Sequence, residues 1–247
     1  MGIDLGGSGF RIGVFDTSTG ALLHPLRHYN HSASTDPADV LPALVSAIED
    51  LGWTGPIGLG FPGAVGASRP TTAPNLGAAW VGKDVGAALN QFHGGAFAML
   101  NDADAVAVAE AEHGVGHDEH HCVLTLTVGT GLGTTVHRQG TMIPNLEYGR
   151  LPHPRLEGCL EEHLSGAART RQGWDLKTWA SHFQEGLTYL EEMVQPERIV
   201  LYGGIMEHWS SIQPLLRTEA ELVAAVLTET AGPLGAALSA ACAAQPL

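Results

Sequence analysis

Short apolar runs separated by glycine-containing turns set the pattern of this chain. Residues 2–6 and 9–16 read as two β runs joined by Gly6-Gly7-Ser8-Gly9. In the second run Phe10, Ile12 and Val14 alternate with small or polar neighbours, and Asp16-Thr17-Ser18-Thr19-Gly20 supplies a turn. A third strand is expected around residues 21–30. Asp36-Pro37 marks a helix start, and the helix runs to about residue 50, with Pro42 weakening its early part. Ile57–Phe61 is a short strand that ends at Pro62-Gly63. Residues 96–100 form another buried strand that runs straight into Asn101-Asp102 and an Ala-rich helix to about Glu112. Residues 122–128 and 132–137 are two strands around Gly129-Thr130-Gly131. Residues 157–169 and 175–194 read as helices. In the second, Leu176, Trp179, Ala180, Phe183, Leu187, Leu190 and Met193 keep an amphipathic helical period, and Pro196 ends it. Arg198–Tyr202 is a strand that stops at Gly203-Gly204, a helix follows, and residues 231–243 form an Ala-rich helix.

Alternation of strands and helices after an initial β meander implies an α/β protein. There is no array-type repeat, but a strand–glycine turn–strand pattern occurs near residue 6 and again near residue 129. Two similar halves facing one cleft is the natural expectation.

Charge and composition narrow the classes. The 247 residues carry 12 Lys+Arg against 26 Asp+Glu, a formal net charge of −14, which disfavours nucleic acid and anionic lipid as partners. The cations are uneven: Arg150, Arg155, Arg169, Arg171 and Lys177 lie in one stretch, a local anion site or simply solvated helix faces. Glycine is 32 of 247 residues, about twice the usual ~7%, which suits many tight turns and close backbone approaches. Three distant cysteines without a C-x-x-C pair point to a reducing compartment. No signal peptide and no membrane span are expected, so the expected location is cytoplasmic.

Five places can carry chemistry. Asp4-Leu5-Gly6-Gly7-Ser8 is either an ordinary glycine hairpin or a nest of unobstructed N–H groups for a phosphate, with Asp4 in reach of metal-bound water. A strand follows it, so the dinucleotide fingerprint is excluded. Gly129, Thr130 and Gly131 repeat the arrangement, and two such turns favour a phosphate clamp. Asn101-Asp102 is a helix N-cap on spacing, or else Asp102 is a base for a substrate hydroxyl with Asn101 holding a neighbouring one. Glu147-Tyr148-Gly149-Arg150 lies in a Pro/Gly-rich loop. Gly203-Gly204 suits a flat ligand such as adenine, or a plain strand-to-helix turn. His117, His120 and His121 share an acidic loop, where a metal site is conceivable but surface histidines need no ligand. P-loop, zincin and hydrolase signatures are absent from the sequence.

In order along the chain, D-L-G-G-S (4–8), P-N-L (74–76), N-D-A-D-A (101–105), T-V-G-T-G-L-G (127–133), P-N-L-E-Y-G (144–149), G-C-L-E-E-H-L-S-G (158–166) and Y-G-G (202–204) resemble the ROK family of sugar kinases and repressors. The resemblance is strongest to its polyphosphate glucokinase branch, through residues 72–76 and Trp80-Val-Gly-Lys-Asp84. It implies an α/β two-domain actin-like ATPase (ribonuclease H-like) fold, with residues 1–103 plus 231–247 as one domain and 104–230 as the other. The implied activity is phosphoryl transfer from polyphosphate or ATP to the 6-hydroxyl of glucose, with Mg²⁺. Asp102 would be the base, and Asn75, Asn101, Glu147 and Glu161 would hold sugar hydroxyls. Asp4, Gly6, Gly7, Ser8, Gly129, Thr130 and Gly131 would surround the phosphates, with Gly203 and Gly204 beside adenosine. A homodimer is the family expectation.

The departures from the family pattern bear on substrate. Arg150 stands where the family has a sugar-contacting His, and leaves open a changed sugar, an anionic substrate or lost activity. The zinc cluster is reduced to Gly158-Cys159-Leu160-Glu161, so no zinc is expected. Ser8 and Arg11 replace Thr and Lys. The alternatives are a non-catalytic sugar-binding or regulatory protein of the same fold, or a kinase for another hexose. A repressor is disfavoured by the charge and by the first strand beginning at Gly2.

Overall fold

The computed structural model describes residues 1–31, 34–94, 96–116 and 122–244. Contacts divide the chain into two compact units, Met1–Ala109 with Glu229–Leu247, and Glu110–Thr228. The histidines 117, 120 and 121 lie outside the described residues.

The first unit is built on five strands: β1 (Gly2–Leu5), β2 (Gly9–Gly13), β3 (Arg27–Asn30), β4 (Ile57–Phe61) and β5 (Phe97–Asn101), in the order β3-β2-β1-β4-β5. β2 is antiparallel to both its neighbours, whereas β4 and β5 run parallel to β1. The apolar runs that the sequence places here make the core: Ile3, Leu5, Ile57, Leu59 and Phe61 have no exposed surface. Leu44 and Ile48 of the Pro37–Asp50 helix join them in that core. Burying each such side chain contributes roughly 1.5–3 kcal/mol, enough for the helix to tolerate Pro42. Asp36 starts this helix, its carboxylate accepting Ala38 N–H at 2.8 Å. Trp80 is fully buried beside Phe61 and donates from Nε1 to Thr35 O at 2.6 Å, which fastens the loop around residues 73–80.

The Ala231–Ala243 helix packs on β1 and β4. Its close approach depends on missing side chains: a Cβ at Gly2 would collide with the Pro233 carbonyl, and one at Gly58 with the Ala236 carbonyl.

The second unit repeats the plan. Its strands are β6 (Cys122–Val128), β7 (Leu132–Arg138), β8 (Thr141–Ile143), β9 (Arg198–Tyr202) and β10 (Glu221–Ala224), in the order β8-β7-β6-β9-β10. An antiparallel hairpin again leads, a third strand adds outside it, and two parallel strands follow on the other side. The two halves expected from the recurring glycine turns therefore share one sheet topology. The amphipathic face of the Leu176–Val194 helix, with Trp179, Phe183, Leu187 and Leu190, is fully buried against β6 and β9 residues.

Local structure departs from expectation in several places; the helix expected after Gly203-Gly204 is broken into 3₁₀ turns at Gly204–His208 and Gln213–Leu215 around the short helix Trp209–Ile212. The strand expected over 21–30 splits into Ala21–Leu22, which pairs with Phe15–Asp16, and β3. The helix expected over 157–169 becomes Leu160–Leu164 and Gly166–Gln172. Ser165 divides them because its backbone is extended and its hydroxyl caps the second piece, accepting Ala168 N–H at 3.1 Å. Among the described residues no helix is long and apolar enough to cross a membrane.

Candidate active site

In each unit the chemistry gathers where the parallel strands end, the usual ligand edge of an open α/β sheet. In the first unit β1, β4 and β5 are in register as Asp4–Gly60 and Phe61–Asn101. A Cβ built on Gly60 would lie 3.7 Å from both Asp4 Oδ1 and the Asp102 Cα, so the two acids flank a single glycine. Asn101 is 8% exposed and its amide bonds three backbone groups. Its Oδ1 accepts from Ala103 N at 2.8 Å and Asp104 N at 3.3 Å, and its Nδ2 donates to Gly63 O at 3.2 Å. Spacing favours a helix cap here, and Asn101 accepts two of the first N–H groups of the helix. Asp102 is half-buried at the first position of the Asp102–His113 helix, and its Oδ1 accepts Ala103 N–H at 2.9 Å.

The first glycine turn is closed by Gly6 N–H donating to Gly9 O at 2.8 Å. Asn75 lies against it, its carbonyl 3.5 Å from where a Gly7 Cβ would be. Arg11 faces Asp4 directly across the β1–β2 hairpin and donates to Asp4 Oδ2 from Nε at 3.0 Å and from Nη2. Arg11, which replaces the Lys of the family pattern, is made the partner of Asp4 by the antiparallel register. Beside the turn, Asp4, Gly6, Ser8, Arg11 and His28 line a recess of about 230 Å³.

In the second unit β6 and β9 run parallel, bringing the Gly129–Gly131 turn beside Gly203-Gly204. Gly203 has φ 112°, and a Cβ there would strike the Val128 carbonyl. Nothing lies within 4 Å of the Cβ positions of Gly129 and Gly204, although both backbone groups of Gly129 are bonded, its N–H to Gly131 O at 3.1 Å and its carbonyl to Ala167 N–H at 3.2 Å. Glu161 reaches this turn: its Oε2 accepts Leu132 N–H at 3.0 Å and lies 2.5 Å from the Gly131 Cβ position. Arg150 Nη2 is 3.9 Å from Glu161 Oε1. The loop carrying Glu147 and Arg150 is pinned by Thr134, whose hydroxyl donates to Leu146 O at 2.5 Å and accepts Tyr148 N–H at 3.0 Å. Glu147 itself is exposed.

Much of the basic stretch has internal partners. Arg155 lies 3.5 Å from Glu185, and Arg171 donates to Glu162 O at 2.8 Å. Among the described residues no group of three or more His, Cys, Asp or Glu side chains is placed to hold a metal ion.

Just beyond Arg150, His153 is buried, and its Nδ1 accepts two backbone N–H groups, from Arg155 at 3.2 Å and Leu156 at 3.1 Å. Burial, then the neighbouring His163, holds its pKa below the usual histidine value, and burial does the same to His137 on β7. The folded rings therefore resist a proton that the unfolded chain accepts. Stability from these rings is complete above about pH 6.5 and is lost as pH falls from there toward their lowered folded values. The urea midpoint should drop between pH 7.5 and 5.5, and His153→Gln should flatten that drop. An identical acid dependence in both proteins would remove His153 as a cause.

A sheet of this order made twice, each with a glycine turn after its first strand, defines the α/β actin-like ATPase (ribonuclease H-like) fold. The chain belongs to the ROK family, whose model matches residues 1–172. It is 33% identical over 240 residues to a polyphosphate glucokinase of Mycobacterium tuberculosis, covering 97% of this chain and 90% of that one. The crystal structure of an inorganic polyphosphate/ATP-glucomannokinase from Arthrobacter sp. strain KM superposes with a TM-score of 0.90 at 31% identity, covering 98% of this chain and 97% of that chain. A ROK family glucokinase from Streptomyces griseus, at 22% identity and TM-score 0.76 over 96% and 97% of the two chains, shares the fold. Family and relatives together make this chain a sugar kinase.

Proposed function

We propose that this sugar kinase transfers a phosphoryl group from polyphosphate or ATP to the 6-hydroxyl of glucose, with Asp102 as general base. The observation that carries the reading is the division of labour at the end of β5. Asn101 holds the start of the helix, and the backbone of Asp102 and the carboxylate of Asp4 lie on either side of Gly60. A carboxylate placed this way can accept the hydroxyl proton as the oxygen attacks phosphorus. The relatives named polyphosphate glucokinase and polyphosphate/ATP-glucomannokinase support the sugar and the two donors.

In this reading Asn75, Asn101, Glu147, Arg150 and Glu161 contribute sugar contacts. The N–H groups around Gly6, Gly7 and Ser8, and those around Gly129, Thr130 and Gly131 other than the Gly129 N–H that Gly131 O takes, face phosphate oxygens in this reading, with Gly203 and Gly204 beside adenosine. Phosphoryl transfer rests mainly on positioning and charge neutralisation, which two glycine turns suit. The residues present fit Mg²⁺: Asp4 offers a hard carboxylate oxygen, Oδ1, while Arg11 takes Oδ2. When bound, the ion would neutralise charge on the donor phosphates.

A donor-by-sugar matrix tests the reading, with polyphosphate and ATP against glucose, mannose, fructose and N-acetylglucosamine. Glucose 6-phosphate should form with at least one donor. Calorimetric glucose binding without turnover on either donor would instead establish the non-catalytic alternative. Turnover confined to another hexose would establish a kinase for that sugar.

A further inference from the structure

We infer that His31 is a positioning residue for the phosphoryl donor, acting through the first glycine turn; this rests on the reading of that turn as a donor cradle. His31 follows the edge strand β3 and makes two bonds to the turn. Its backbone N–H donates to Ser8 O at 3.0 Å, and its ring Nε2 lies 2.9 Å from Gly6 O. A carbonyl only accepts, so Nε2 carries the proton. The ring is braced by Phe10, 6.4 Å away between centroids, which stacks in turn on Tyr29 at 4.8 Å.

These two bonds decide what the turn shows to an anion. Carbonyl oxygens aimed at a phosphate repel it, while N–H groups attract it. Gly6 O and Ser8 O are both held by His31, and Gly6 N–H is used by Gly9 O. The N–H groups of Gly7 and Ser8 and the Ser8 hydroxyl carry no bond among the described residues. The Gly6 carbonyl and the Gly7 N–H belong to one peptide group. A hydrogen bond donated to that carbonyl polarises the peptide and makes the Gly7 N–H a stronger donor. His31 thus fixes the turn's orientation and strengthens one of the donors it offers, without touching substrate.

The test compares wild type, His31→Phe, His31→Gln and Gly7→Val, each with MgATP and with polyphosphate. His31→Phe keeps a ring beside Phe10 and loses the side-chain bond; loss of one such bond should raise the donor KM about three- to tenfold, with the glucose KM unchanged. His31→Gln restores a donor at similar reach and should recover most of the loss. Calorimetry with inorganic tripolyphosphate should show the same ranking without turnover. An unchanged donor KM in His31→Phe, or a parallel rise in both KM values with a lowered Tm and no rescue by Gln, overturns the inference. Gly7→Val separates this from the parent reading. If Gly7→Val weakens donor binding and His31→Phe does not, only the role of His31 falls. If neither does, the turn is not the donor cradle.

Discussion

Asp102→Asn should lower kcat for glucose phosphorylation by about 10²–10⁴-fold while leaving glucose affinity near the wild-type value. The substitution is close to isosteric, and the carboxamide oxygen can still accept the Ala103 N–H that Asp102 Oδ1 accepts at 2.9 Å. The helix start should survive, because Asn101 and not Asp102 accepts from both Ala103 and Asp104. What the amide cannot do is take a proton from an attacking hydroxyl. A coupled glucose 6-phosphate assay beside glucose calorimetry reads both quantities. Equal rates in the two proteins would remove Asp102 as the base, and a large loss of glucose affinity would recast it as a binding group.

Glu110→Ala should destabilise the protein by about 3–5 kcal/mol, since it removes a buried carboxylate and leaves three N–H groups without their acceptor, each costing roughly 1–3 kcal/mol where water does not reach it. Glu110 has no exposed surface, yet three backbone donors converge on its carboxylate. Val115 N–H reaches Oε2 at 3.0 Å, and Val226 and Leu227 N–H reach Oε1 at 2.9 and 2.8 Å. The residue ties the end of the Asp102–His113 helix to the segment after β10, and Gly114 packs too tightly against the carboxylate for any Cβ. Glu110→Gln keeps one acceptor oxygen but turns an NH₂ toward N–H groups on the other side, so it should lose a substantial part of the same stability. Urea unfolding measures both variants, and a loss below about 1 kcal/mol in Glu110→Ala would show that water or backbone relaxation satisfies the three donors.

Glu110 also shows why parts of the structure cannot be read from the chain. An acid in an Ala-rich helix looks like a solvated surface residue. Two of its three donors come from Val226 and Leu227, over a hundred positions away, and nothing local announces those two. His31 is similar: a histidine in a polar turn has no signature until β3 pairs with β2 and brings it over Gly6 and Ser8. The third strand of the second half and β10 owe their extended backbone to a neighbouring strand, and short edge strands carry little alternation of their own. Ser165 was indistinguishable from a helix-interior serine until its hydroxyl turned to cap the next piece.

By itself the sequence determined what short-range physics controls. Apolar alternation and glycine turns placed both leading hairpins, Asp36 started its helix, and the family resemblance of the short motifs made the turns, Asp102 and Glu161 candidates for chemistry. Only the tertiary structure decided how those places are equipped. It set Arg11 on Asp4, Asn101 rather than Asp102 as the main cap, Glu161 on the second glycine turn and His31 on the first. The physical reason is range: propensity and capping act within a few residues, whereas the partner of a side chain is settled by strand register and packing between segments far apart in the chain.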